Sequence, residues 1–440
     1  MKLRYHAIPR DMFDALAAGG GGPEAIGVLA AAEQSKAEIL LRGVAAAARA
    51  VDAAQARYAR VGWEVLAEIS QRQDHDVADR VMRYPAVCAW AVSTLSALDT
   101  DGRARGAGPA RLAAVAAAAA VRSGLEADVP VLPVGGVVSL PSLGAARVDG
   151  ESAVVHSKPG SAEVRWGHGR VEIPAGGERD TVGWLGLRAC AAGDFAPVID
   201  DLDPFRMPAA EPGLAPRLTM EEARDWRRVL RQGWELLEAE HPAVAAEVAA
   251  AISVIVPLSK SVHGHISTSG PDTFGAVAMS EPPDPETCAS TLTHELQHVK
   301  LCAMLDIVRL TVPGDDGRRY YAPWRDDPRP VAGLLQGAYA HVGVTEFWRR
   351  RREVATGAAQ SRADGQFALW RAATSRVIDT LLASGGLTAA GTDFVRRMAQ
   401  TADGWTRESV SAQARAFARD EAEGHLARWE RNHGPVPRLA

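Results

Sequence analysis

The amino-acid sequence predicts an α+β fold, predominantly helical, with a small antiparallel β-rich insert. Three observations carry this expectation. Residues 11–125 are Ala-rich and helical in pattern, broken by Gly and by charged residues. Residues 128–190 change to short stretches rich in β-formers, separated by Gly and Pro turns. From about residue 218 helical periodicity returns, interrupted by two short apolar runs and by a loop at 312–330 rich in Gly, Asp, Arg and Pro.

Each element has a local reason. Gly19-Gly20-Gly21-Gly22-Pro23 has the look of a phosphate loop, but it lacks a preceding strand and a Gly-Lys-Ser/Thr ending. It predicts a helix stop, a loop and a new helix with Pro23 in its first turn. The candidate strands of the insert are 131–138, 153–156, 163–166, 170–173 and 183–188. His156 and His168 fall there without partner spacing, so they read as strand or turn residues. Trp226, Leu230, Trp234 and Leu237 recur at helical spacing and predict core packing. Residues 251–258 and 275–280 predict two strands ahead of a further helix. The division expected is a helical region at 1–127, the β-rich insert at 128–200, and a mostly helical domain at 201–440.

Composition narrows the function classes. With 440 residues, 47% of them hydrophobic and 23% charged, the chain is long enough for two or three ordinary globular domains. A net charge of −5 argues against a nucleic-acid binder or a polybasic membrane surface. Cys88, Cys190, Cys288 and Cys302 show no Cys-x-x-Cys pairing, which fits thiols in a reducing cytoplasm. Residues 1–6 contain no apolar signal-peptide core, and the longest apolar runs, such as 113–121, are too short to span a bilayer.

The strongest chemical signal is His294-Glu295-Leu296-Gln297-His298, inside a helical stretch at 287–308. At 3.6 residues per turn, positions i and i+4 lie about 40° apart on one face, so both imidazoles can reach a single divalent metal. Glu295 is rotated by about 100° from His294 and stands beside that point as a base or support. With 12 His in the chain, shuffling would produce this motif roughly twice in a hundred trials. The turn 281–285 releases a fresh helix, and Leu292, Leu296, Val299 and Ala303 give it an apolar face. Two strands before a metal-binding helix are analogous to a zincin-like core, in which an edge strand pairs with extended peptide.

Two His need a third ligand. His341 and Glu346 both lie in the helical segment 334–346, five positions and about 140° apart, so one metal cannot readily take both. His341 is favoured, because Gly337 and Ala338 let its helix approach the motif helix, while Glu346 has Arg349 and Arg350 nearby for pairing. Three neutral imidazoles would leave a divalent metal its full charge and favour an anionic chelating cosubstrate. A His/His/Glu set suits a zinc-bound water.

The stretches 292–301, 320–330 (Tyr320-Tyr321-Ala322-Pro323-Trp324-Arg325-Asp326-Asp327-Pro328-Arg329-Pro330) and 337–341, with Phe13-Asp14-Ala15-Leu16-Ala17 and Ser35-Lys36, resemble a specific family. It comprises the HExxH domain proteins found with radical-SAM maturases in ribosomal peptide gene clusters. Its members are iron- and 2-oxoglutarate-dependent peptide β-hydroxylases. The resemblance implies iron on His294, His298 and His341. It also implies a 2-oxoglutarate site at the loop of Tyr321, Arg325 and Arg329, and a precursor peptide as substrate, with a radical-SAM maturase as possible partner. Arg325 is the first choice for the far carboxylate and Arg329 the second, Arg being the natural bidentate partner. The competing role for both is an ion pair with Asp326 or Asp327. Glu295 would then support a ligand or the peptide by hydrogen bonding. Spacing alone favours a zinc metallopeptidase with Glu295 as general base, the commoner meaning of this motif, and a catalytically silent peptide-binding partner is a third reading.

Overall fold

The computed structural model describes residues 5–50, 52–72, 75–100, 108–208, 213–262, 264–314 and 317–436. The fold is predominantly helical with small, mainly antiparallel sheets. Contacts divide the described residues into two compact units, one made of those within 30–231 and 252–282 and the other of those within 5–29, 232–251 and 283–436. The boundaries differ from the three regions expected, because strand pairing and core sharing join segments that are distant in sequence.

The helices of the N-terminal half are α1 (Arg10–Ala17), α2 (Gly22–Ala47), α3 (Ala53–Gln71), α4 (His75–Met82), α5 (Pro85–Thr100) and α6 (Arg111–Ser123). In the first unit α6 is buried from Arg111 through Ala120, which explains its alanine content. A helix that is apolar all round belongs inside a core, and small side chains let neighbours approach its backbone. The approach is close at Gly62 of α3, where an added Cβ would stand 2.6 Å from the Leu112 carbonyl carbon and oxygen. Gly62→Ala is therefore expected to cost about 1–3 kcal/mol, as overpacking does, read as a lower midpoint in chemical denaturation.

The insert consists of β1 (Ala127–Val131), β2 (Val137–Leu140), β3 (Gly144–Arg147), β4 (Ala153–Lys158), β5 (Ser161–Trp166), β6 (Gly169–Ile173), β7 (Trp184–Gly186), β8 (Arg188–Ala189) and β9 (Val198–Ile199). They form an antiparallel sheet ordered β1-β4-β5-β6 and another ordered β2-β3-β7. Val129, Val131, Val155 and Val164 on alternate positions face one core with α6 and Trp184, as period-two burial requires. His156 is a strand residue whose Nδ1 lies 2.7 Å from Asp128 Oδ1, and His168 lies in the turn between β5 and β6.

Next come α7 (Met220–Glu240), α8 (Pro242–Ala251), β10 (Val254–Pro257), β11 (Ser267–Thr268) and β12 (Ala276–Met279). The chain thereby returns to complete a five-stranded sheet ordered β11-β12-β10-β9-β8, in which β10 runs parallel to both β9 and β12. This sheet belongs to the first unit.

The second unit is helical. It holds α9 (Pro285–Leu305), α10 (Val331–Val354), α11 (Gly357–Ala383), α12 (Ala389–Thr406) and α13 (Ala412–His433), together with α1 and α8. α1 stops at Ala17 and α2 opens at Gly22, with Gly19, Gly21 and Gly22 at φ of +95°, +115° and +69°. Only glycine enters that region cheaply. The turn presents the Gly19 and Gly20 carbonyls to α9, where the Lys300 Nζ donates to them at 2.8 and 3.1 Å. No single helix among the described residues is long and apolar enough to cross a membrane. The four cysteines form no disulfide.

Candidate metal centre

The motif helix starts where its sequence signals. Asp284 caps α9 by accepting from the Thr287 N–H at 2.8 Å, and Pro285 occupies the first turn, where its missing N–H costs nothing. Between Thr291 and Lys300 every residue is buried except His294 and His298, which are partly exposed. A helix buried around nearly its whole circumference thus opens on one stripe, and that stripe carries the two imidazoles. Their Nε2 atoms face each other at 3.2 Å. Two nitrogens held about 2.0–2.1 Å from a tetrahedral metal would stand about 3.3 Å apart, so the pair has a ligand-like separation.

α10 brings the third ring. The His341 ring centre lies 5.4 Å from that of His294, with the planes at 88°. His341 Nδ1–H donates to the Gly337 carbonyl at 2.8 Å. A carbonyl only accepts, so this bond fixes the tautomer and leaves Nε2 with its lone pair. His298 Nδ1 lies 3.0 Å from Gln336 Oε1, with the same consequence. Burial, reinforced by His298, lowers His294 to about 4, with Glu295 opposing. Burial and then His294 hold His341 well below the usual imidazole range. His294 and His341 are thereby held as uncharged donors at neutral pH, the form a metal requires. Among the described residues no set of three His, Cys, Asp or Glu side chains closes into a finished metal site. The formed part is the facing pair, with His341 alongside. Its chemistry suits zinc or iron, since imidazole serves both.

Small residues on α10 permit this arrangement. A Cβ on Gly343 would meet Gln297 Cγ at 2.8 Å, and one on Gly337 would stand 2.4 Å from Trp324 Nε1. Trp324 stacks on His341 at 4.0 Å between ring centres, and Trp370 of α11 flanks the same imidazole at 4.8 Å.

Glu295 is 1% exposed, and its Oε1 lies 4.0 Å from His294 Nε2. That is beyond hydrogen-bond range and places it beside the pair. Glu346 points to other partners: Arg349 at 3.1 Å and the Trp405 indole N–H, also at 3.1 Å. Of the two third-ligand candidates, only His341 is in ring contact with the pair.

The loop 320–330 is closed by reciprocal backbone bonds between Tyr320 and Arg329, of 2.8 and 2.9 Å. Arg325 and Arg329 both donate to Asp327, at 2.9 and 2.8 Å. Both guanidiniums thus take the ion-pair role that competed with cosubstrate binding. Tyr321 is buried, with its hydroxyl 2.8 Å from His425 Nδ1. The loop's contribution nearest the imidazoles is Trp324.

Beside these rings the second unit contains a cavity of ≈ 540 Å³, within the usual range for ligand pockets. Tyr321, Trp324, Trp370, Arg376, His425 and Arg428 line it. Sequence reading singled out only Tyr321 of these. Trp324 belongs to the same loop, and Trp370, Arg376, His425 and Arg428 come from α11 and α13, whose meeting with the 320–330 loop depends on tertiary packing. No family model matches the chain, and no curated protein matches it.

Proposed function

We propose that the chain is an iron- and 2-oxoglutarate-dependent peptide hydroxylase acting on a ribosomally made precursor. The observation that carries this reading is the company of the facing His294–His298 pair: a third imidazole, His341, with Glu346 engaged elsewhere. An all-imidazole set leaves a divalent ion's charge uncancelled and suited to an anionic chelator. When bound, iron with 2-oxoglutarate and oxygen supplies the oxidant for a substrate C–H bond. His294, His298 and His341 would hold the ion. Gln336 and the Gly337 carbonyl set the ring tautomers. Trp324 and Trp370 shield His341 from water.

The zinc metallopeptidase is the second reading. It is favoured by the burial of Glu295 beside His294, the position of a general base. One experiment separates the two. Protein purified without oxygen is expected to bind one equivalent of ferrous iron and to convert 2-oxoglutarate to succinate only when oxygen is admitted. Cleavage of a peptide by zinc-loaded protein, with no oxygen or 2-oxoglutarate requirement, would sink the hydroxylase reading.

A further inference from the structure

The cavity beside His341 has an apolar body and a cationic edge. Trp324, Trp370 and Phe417 supply flat apolar walls, and Arg376 and Arg428 stand at its margin. The Arg376 guanidinium lies 4.9 Å from the Tyr321 ring centre, a cation–π contact that holds it toward the cavity. Neither Arg376 nor Arg428 has an ion-pair partner among the described residues, whereas Arg325 and Arg329 of the adjoining loop share Asp327. Burial raises the Tyr321 phenol, and both Arg376 and Arg428 act against that rise, so both charges bear on the same end of the cavity. Two carboxylates, Asp326 and Glu421, also line it. Asp326 has a side chain 86% exposed and stands 3.7 Å from His425 Nε2, which engages it on the His425 side.

We propose that this cavity is a carboxylate-binding site: a ligand lays an apolar or flat body against Trp324 and Trp370 and sets its carboxylate on Arg376 and Arg428. The inference rests on the reading above in one respect, that the ligand then lies next to the imidazole cluster. The carboxylate has two possible sources, a free dicarboxylic acid or an acidic side chain of a peptide. A guanidinium serves either, by charge-assisted bonds of bidentate geometry.

Isothermal titration of the metal-free 440-residue chain tests this with two probes, pentanedioate and an acetylated, amidated Phe-Asp-Ala tripeptide. The neutral controls are pentanediamide and the Phe-Asn-Ala tripeptide. At least one carboxylate probe is expected to bind saturably, more weakly as salt is raised, and at least tenfold more tightly than its neutral control. R376Q and R428Q are each expected to weaken it by about tenfold without changing the melting temperature, since both side chains are exposed. Binding of pentanedioate alone identifies a small acid, and binding of the tripeptide alone identifies a peptide groove; either supports the site. No saturable binding of both probes overturns it, as does a loss seen in R325Q or R329Q but in neither R376Q nor R428Q. Because no metal is present, failure here leaves the metal chemistry of the imidazoles standing. Failure to bind iron leaves the carboxylate site standing in turn.

Discussion

Lys300→Met is expected to destabilise the second unit by about 3–5 kcal/mol, the usual cost of removing one partner from a buried ion pair. Lys300 is 1% exposed and its ammonium has three acceptors: Glu247 Oε2 at 2.7 Å and the Gly19 and Gly20 carbonyls. That uses every donor the group has. Glu247 is equally committed, its other oxygen accepting from the Gly22 N–H at 2.7 Å. Burial lowers the Lys300 pKa while Glu247 raises it. Removing the ammonium would leave a buried carboxylate with one partner lost and the Gly20 carbonyl without its donor. Gln297 would still donate to Gly19 at 2.9 Å, so the turn would loosen while α9 keeps one tie to it. Chemical denaturation reads the loss. Adding Glu247→Leu to Lys300→Met should recover part of it, because the stranded charge then goes too. A loss below about 1 kcal/mol would show that water relieves the site and that the node is not a tie.

That node shows where the sequence was legible and where it was not. The motif helix was readable because its information is local: an Asp-Pro start, an apolar stripe and two His four apart. α9 accordingly runs from Pro285 to Leu305 against the expected 287–308, starting two residues earlier and ending three residues earlier. The glycine run was readable for the same reason, since positive φ at Gly19, Gly21 and Gly22 is a backbone property. Its partner was not readable. Nothing near Lys300 announces that a charged side chain on a buried helix will find two glycine carbonyls and Glu247. Of the insert's strands β4, β5, β6 and β7 were visible as β-rich stretches, whereas the expected strand 131–138 is the end of β1, a turn and the start of β2, and β3 was not singled out. The return of β10 and β12 to pair in the β8–β9 sheet was not, because pairing register lies outside local composition. The same limit governed the cavity. Arg325 and Arg329 were conspicuous beside the motif but hold Asp327, while Arg376 and Arg428 reach the cavity from α11 and α13.

His298→Ala is expected to abolish tight metal binding, and Glu295→Gln then decides what the bound metal is for. His298 supplies one of two nitrogens that face each other at 3.2 Å. Without it His294 has His341 as its remaining imidazole neighbour. Loss of a supporting group such as Gln336 should cost roughly 10–100-fold in affinity, so Gln336→Ala sets the scale that His298→Ala must exceed. Metal content after dialysis, measured for iron and for zinc, gives that order directly. If His298→Ala retains full occupancy, the pair is not a metal site, and its 3.2 Å contact is a hydrogen bond between the two rings. Glu295→Gln keeps the shape of a side chain that is 1% exposed, and it removes the basic oxygens. Where Glu295 takes a proton from water, the rate should fall by about 10²–10⁴-fold with metal content unchanged. Where it only steadies His294 from 4.0 Å, an amide of the same shape should preserve a substantial part of the rate. Succinate formation from 2-oxoglutarate and peptide cleavage, followed in parallel on this one variant, therefore assign Glu295 its role.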